Sequence, residues 1–312
     1  MISFNAKNVF DQIKPDYKIR ADGAHPLDLF LGKTDDGRPF IELIGSFTPI
    51  MITSTSAIIV KQGEYINKKN SIRFILGTKE LVTYFYRFVE DFVISSFEIN
   101  DPKTGYSFLV NRFQCWKKAF GKSEGLSVAS EQGLIGELLF LSNFAIKKYG
   151  EEAAIEGWSG SEKTAKDFSF PDNWYEIKTV SCQSPLVTIS SFEQLDSPLE
   201  GFLVVFLLEK GSSMCKGINL YSLVNEIDHN LVHLNSKLSF RNKLLDAGYC
   251  YGNSDNDRYT SPIFYKKETM FYKIDNRFPV IKRDDVDSRI SKVTFAIDLC
   301  NISELAIKEG EL

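Results

Sequence analysis

Asp167 and, nine positions later, Glu176-Ile-Lys178 are the residues of this chain whose types and spacing could do chemistry. Two carboxylates can share a divalent cation through oxygen ligands, and a lysine beside them can hold or polarise a water. Side chains alternate along a strand, so Glu176 and Lys178 point to one face while Tyr175, Ile177 and Thr179 point to the other. That spacing suits metal-dependent phosphodiester hydrolysis and reads as a nuclease. Glu-x-Lys alone is ordinary cross-strand chemistry. Its weight comes from combination with Asp167 one strand back and with Glu137 on a preceding helix.

Glu137 has Gly133, Leu134, Phe140 and Leu141 as its helical neighbours, an otherwise apolar face. An ionised carboxylate facing a core is costly unless it is paired, hydrogen-bonded or metal-bound. A structural ion pair and a site role both remain open for it, and the downstream acids favour the site. Asp167 lies in Lys166-Asp-Phe-Ser-Phe170, where Phe168 and Phe170 would share the core face and leave Asp167 on the other. Aspartate is a poor strand former, so its place there asks for a reason. Asp172 competes as a ligand, although Pro171-Asp172-Asn173 reads more naturally as a hairpin turn.

The elements that must position these groups can be read from periodicity. A helix is expected over Glu131–Tyr149, with Ser130 as N-cap and Gly150 as its stop. Strand-like runs follow at Ala153–Trp158, Ala165–Phe170, Trp174–Val180 and Leu186–Ile189, then a small helix at about Ser191–Leu195. Phe202–Leu208 is a continuous apolar run, suited to a strand buried on both faces. This order describes an α/β (α+β) fold, a mixed sheet flanked by helices. Helices near Leu220–Leu231 and Lys237–Ala247, and strands near Phe264–Ile274 and Lys292–Ile297, complete the chain.

Upstream, strands at Leu27–Leu31, Pro39–Ile44, Ala57–Lys61 and Ser71–Leu76 precede helices at Glu80–Phe97 and about Tyr106–Phe120. Gly121-Lys-Ser-Glu-Gly125 is the expected boundary. It divides a β-rich region closed by helices, residues 1–125, from residues 126–312, whose first part (126–210) holds the candidate site. The N-terminal region is expected to bind DNA or a partner.

The 312 residues are 43% hydrophobic and 25% charged, enough to build large cores without disorder. A net charge of −4 offers no whole-molecule attraction for nucleic acid, so DNA contacts must come from local patches. Lys163 and Lys166 qualify because they flank Asp167; other small basic groups read as solvated lysines. Five cysteines scattered singly and three histidines argue against a zinc site. No run reaches the roughly 18 apolar residues of a membrane span, and the start lacks a signal peptide. A reducing cytoplasm is the expected compartment.

Gly133–Asp196 resembles the PD-(D/E)XK nuclease superfamily, and more narrowly the PD-(D/E)XK motif proteins of bacterial restriction and phage-defence gene clusters. The stretches that carry the resemblance are GLIGELLFL (133–141), GWSGSEKTAKDF (157–168), YEIKTV (175–180) and ISSFEQLD (189–196). Trp116 and FPVIKR (278–283) fit the narrower group. The resemblance implies a restriction-endonuclease-like core of αβββαβ order. It implies that Asp167 and Glu176 bind Mg²⁺, for which Mn²⁺ can substitute, that Lys178 assists the water, and that Glu137 completes or flanks the metal site. Lys166 stands where proline often precedes the aspartate. Gln194 falls where many members place a polar helix residue near the site; a surface glutamine is the competing reading. The expected activity is Mg²⁺-dependent DNA cleavage, with a homodimer and methyltransferase or ATPase partners as possible company. The alternatives are a non-catalytic or partner-dependent DNA-binding subunit, or a nuclease for RNA or for single-stranded or damaged DNA.

Overall fold

Alternating apolar positions in the first hundred residues build an antiparallel sheet that buries one face under helices. The computed structural model describes residues 4–119, 126–160, 165–181, 183–211, 217–249 and 262–311. They fall into two units, Met1–Gly125 with Gly248–Asp255, and Leu126–Ala247 with Asn256–Leu312. The expected boundary segment 121–125 and Lys163 lie outside the described residues.

The first unit runs α1 (Ala6–Asp11), β1 (Lys18–Arg20), β2 (Asp28–Lys33), β3 (Pro39–Gly45), β4 (Ile58–Tyr65), β5 (Lys69–Leu76), α2 (Val82–Ser95) and α3 (Pro102–Ala119). Its strands lie in the order β1-β2-β3-β5-β4, each pair antiparallel. Leu29, Leu31, Ile41, Leu43, Ile72 and Phe74 are buried on the face that the helices cover. Phe74 meets Phe88 of α2 at 5.7 Å and Phe113 of α3 at 4.9 Å between ring centroids. Between the two helices, Arg112 and Asp91 form a fully buried ion pair. Arg112 Nε donates to Asp91 Oδ2 at 2.7 Å, and Trp116 Nε1 donates to the same oxygen at 2.8 Å.

The second unit opens with α4 (Val128–Phe140). Its cap is Ser127, whose hydroxyl accepts from the Ser130 N–H at 3.1 Å, so the expected cap Ser130 lies inside the first turn. The helix continues through a π-turn over Leu141–Ala145 into α5 (Ile146–Tyr149), then breaks at Gly150. The strand expected over Ala153–Trp158 is instead helix α6 (Glu151–Gly157). Glu151 and Glu152 fall in its first turn, where the helix dipole favours acids, and Ala153-Ala154 are strong helix formers. Only Trp158 behaves as strand, in a bridge to Phe168.

The strands that follow are β6 (Phe168–Ser169), much shorter than the expected Ala165–Phe170, then β7 (Asn173–Val180) and β8 (Leu186–Ile189). A 3₁₀ turn over Phe192–Gln194 leads to β9 (Glu200–Gly211). Next come α7 (Leu220–Asn230), α8 (Leu234–Asp246), β10 (Ile263–Lys273), β11 (Phe295–Asp298) and β12 (Ala306–Ile307). The sheet order is β12-β10-β9-β7-β6, with β7 and β9 parallel and the other pairs antiparallel. β8 pairs with β11 in a separate ribbon. Of the three strands expected after the helix, Ala153–Trp158 is helical, Ala165–Phe170 is reduced to β6 and Trp174–Val180 is β7; β8, the short helical turn and β9 follow in the expected order. β9 is buried on both faces, as its apolar run implies: Leu203 and Val205 join Val187, Ile189 and Leu195 on one side. Among the described residues, no helix is long and apolar enough to cross a membrane.

The Arg112–Asp91 pair gives the first unit a sensitive point. Asp91→Ala would leave a buried guanidinium without its carboxylate, a change that costs about 3–5 kcal/mol. Urea unfolding should show a midpoint lowered accordingly, and an unchanged midpoint would refute the structural role assigned to the pair.

Candidate active site

β7 is the strand on which the site is built. It is held by a parallel ladder to β9, in which Glu176 faces Leu203 and Lys178 faces Val205. Its Glu176 face is shared with Trp174 and Val180, which pack into the cluster around Leu203 and Val205. Its other face lies against α4. A Cβ at Gly136 would come 2.4 Å from Thr179 Cγ2, so only glycine lets α4 approach β7 this closely. Glu137 follows immediately and is thereby carried to the edge of the same strand.

Each acid is held by a donor from the scaffold. Trp158 Nε1 donates to Glu137 Oε2 at 2.6 Å. The Ile177 backbone N–H donates to Asp167 Oδ2 at 2.7 Å, which fastens Asp167 to β7. Lys178 Nζ and Gln194 Nε2 both reach Glu176 Oε1, at 2.8 and 2.6 Å. Gln194 is in turn fixed by the Ser190 N–H, which donates to its Oε1 at 2.6 Å. Glu176 is 1% exposed, and among the described residues its Oε2 has no hydrogen-bond partner.

Glu137 and Asp167 converge on Gly160. A Cβ at that glycine would lie 2.8 Å from Asp167 Oδ1 and 2.8 Å from Glu137 Oε2. The Ser159 and Gly160 N–H groups both donate to the Asp167 carbonyl at 2.9 Å, so the turn is stitched to the acid it faces.

The electrostatics follow from this crowding. Burial, and then the charge of Asp167, push Glu137 up to about 8 against the opposing pull of Trp158 and Lys178. The same two causes push Glu176 up to about 8, with Lys178 opposing. Burial raises Asp167 as well, opposed by the Ile177 N–H and Lys178. Lys166 is half-buried and pushed down to about 8 by desolvation, with Glu176 and Asp196 pulling the other way. Its ammonium sits 3.5 Å from the Trp174 ring centroid and donates to the Asp196 carbonyl at 3.3 Å.

Of the residues singled out in the sequence, Glu137, Asp167, Glu176, Lys178 and Gln194 are brought into one neighbourhood. Lys166 lies on the Trp174 ring beside it. Trp158 and Gly160 had no role assigned in advance; the signal for them is Gly157-Trp-Ser-Gly160, a tryptophan between glycines just before the aspartate.

The donor set suits a divalent cation in chemical kind: hard carboxylate oxygens, mutual repulsion between acids, and an orphaned oxygen on Glu176. Among the described residues, no three His, Cys, Asp or Glu side chains already converge as a ready-made metal site. Glu137 and Asp167 converge as a pair, and Glu176 is engaged by Lys178 and Gln194.

The raised carboxyls make stability depend on pH with a definite sign. Between 4.5 and about 8 the folded chain keeps protons on Glu137 and Glu176 that the unfolded chain releases. Stability of the metal-free protein should therefore fall as pH rises through that window. Thermal melts in EDTA should show this fall for wild type and a shallower one for Glu176→Gln; parallel curves would contradict the placement of Glu176.

No curated protein and no solved structure matches the chain. A family does, over residues 12–300, and its description is "Putative PD-(D/E)XK family member, (DUF4420)". That match spans β6 to β11, the helices α4 to α8 and all the acids above, and the mixed α/β architecture accords with a restriction-endonuclease-like fold. The chain belongs to this PD-(D/E)XK family, whose wider superfamily consists generally of nucleases.

Proposed function

We propose that this protein is a Mg²⁺-dependent DNA endonuclease, with Mn²⁺ able to substitute, acting in a bacterial restriction or phage-defence system. One observation carries the reading. Three carboxyls lie around β7, Lys178 is ion-paired to one of them, Glu176, and among the described residues that same carboxyl keeps a buried oxygen without a partner. Such an excess of acid is poorly suited to a structural ion pair and well suited to a divalent cation. The family match supports nuclease chemistry, and the restriction or defence setting rests on the resemblance of the motifs.

Asp167 and Glu176 would hold the cation, with Glu137 completing or flanking the set. When bound, the cation supplies positive charge to a phosphodiester and favours ionised water at neutral pH. The remaining work falls to the chain. The Ile177 N–H holds Asp167 in place, and Gln194 keeps Glu176 in one rotamer. Trp158 steadies Glu137 beside Asp167. The Lys178 ammonium, held at Glu176 Oε1, would orient the attacking water and offset negative charge developing on the phosphate. Lys166 lies on the Glu176 side of the strand and is proposed to contact the substrate backbone, as is Lys163.

The test is cleavage of supercoiled plasmid in Mg²⁺ or Mn²⁺, with single-stranded DNA and RNA digested in parallel. Wild type should nick or linearise the plasmid. Asp167→Asn should abolish cleavage, and Lys178→Ala should slow it by about 10²–10³-fold, the usual loss for one donor aimed at developing charge. Cleavage that survives Asp167→Asn would overturn the site. Digestion of RNA alone would overturn the DNA assignment.

A further inference from the structure

The sheet of the first unit has a second face, opposite its helices, and that face is rich in cations. One row crosses all five strands by direct cross-strand pairing: Arg20, Phe30, Glu42, Arg73, Lys61. Lys18, Asp28 and Lys69 lie on the same face by alternation. It therefore holds five cations, at positions 18, 20, 61, 69 and 73, against two acids, at 28 and 42, in a chain whose net charge is −4. Each acid is shared between two cations. Asp28 pairs with Arg20 at 2.8 Å and Lys69 at 3.3 Å, while Glu42 pairs with Lys18 at 2.6 Å and Arg73 at 3.0 Å.

Two features separate this face from an ordinary solvated surface. Lys61 stands directly opposite Arg73, a like-charge pair that works against the sheet. The aromatic rings on the face hold cations in place: Lys18 Nζ lies 4.9 Å from the Phe30 ring and 5.0 Å from Tyr65, and Arg73 lies 4.1 Å from Phe40. At the usual strand spacing, the row from β1 to β4 spans about 19 Å, too long for one small anion. We infer that this face binds the phosphate backbone of double-stranded DNA. The choice of DNA rests on the nuclease reading above. Duplex is favoured over single strand because Lys18 and Arg73 lie over Phe30 and Phe40, which are therefore not open platforms on which bases could stack.

The experiment is a fluorescence-anisotropy titration of a labelled DNA duplex, and of one of its strands alone, with the full chain in EDTA across a salt series. Lys61→Glu is compared with wild type and with Lys7→Glu, which makes the same charge change at an exposed position on α1. Lys61→Glu should bind the duplex more weakly, and its log K against log salt should flatten by about 0.9, the loss of one phosphate contact. Lys7→Glu should match wild type. Because the new glutamate would face Arg73, the melting temperature of Lys61→Glu should equal or exceed that of wild type, which removes misfolding as an explanation. Duplex affinity of Lys61→Glu equal to that of Lys7→Glu would overturn the inference, as would tighter binding of the single strand. Duplex binding that weakens in Lys61→Glu while wild type cleaves no plasmid would sustain this face and sink the nuclease reading. Unchanged binding beside full cleavage would do the reverse.

Discussion

Like charges held together away from water are the constraint on which the second unit depends. Burial raises the proton affinity of Glu137, Asp167 and Glu176, the charge of Asp167 raises Glu137 and Glu176 further, and each acid is held by a donor built into the scaffold. Those four donors come from three places in the chain: the Trp158 indole, the Ile177 backbone with the adjoining Lys178 ammonium, and the Gln194 amide. The close seating of α4 on β7 at Gly136 and the parallel ladder between β7 and β9 serve this assembly, because a strand free to twist would let the acids relax apart.

The first unit solves a related problem in the opposite way. Asp91 and Arg112 are buried one against one, with Trp116 taking up a further bond to the carboxylate, so their charges balance. A balanced pair locks two helices. Around β7, among the described residues, only Glu176 is paired, with Lys178, and the folded chain holds Glu137 and Glu176 protonated up to about pH 8. The two units thus put buried charge to contrasting uses within one chain.

Much of this was legible in the sequence. The period-two placement of Glu176 and Lys178 and the unbroken apolar run of β9 identified their strands, because alternation and continuous burial each leave a local signature. The helix over Glu151–Gly157 was misread as a strand. Its apolar residues are few and end in tryptophan, while the acids in its first turn and the alanine pair held the better signal. The cap expected at Ser130 falls three residues earlier, at Ser127, because it is the Ser127 hydroxyl that accepts from the Ser130 N–H. Trp158 and Gly160, though within a stretch that carries the resemblance, received no role of their own for a different reason. Their roles are relations through space to Glu137 and Asp167, and no periodicity records such a relation.

Gly160 leaves a mark on how this protein can change over generations. No residue with a side chain fits there without pushing on both Glu137 and Asp167. Alanine at this position would spare the sheets and disturb the two acids together. The position thus ties the shape of one turn to two acids at once: a single methyl group there would press on both carboxylates together.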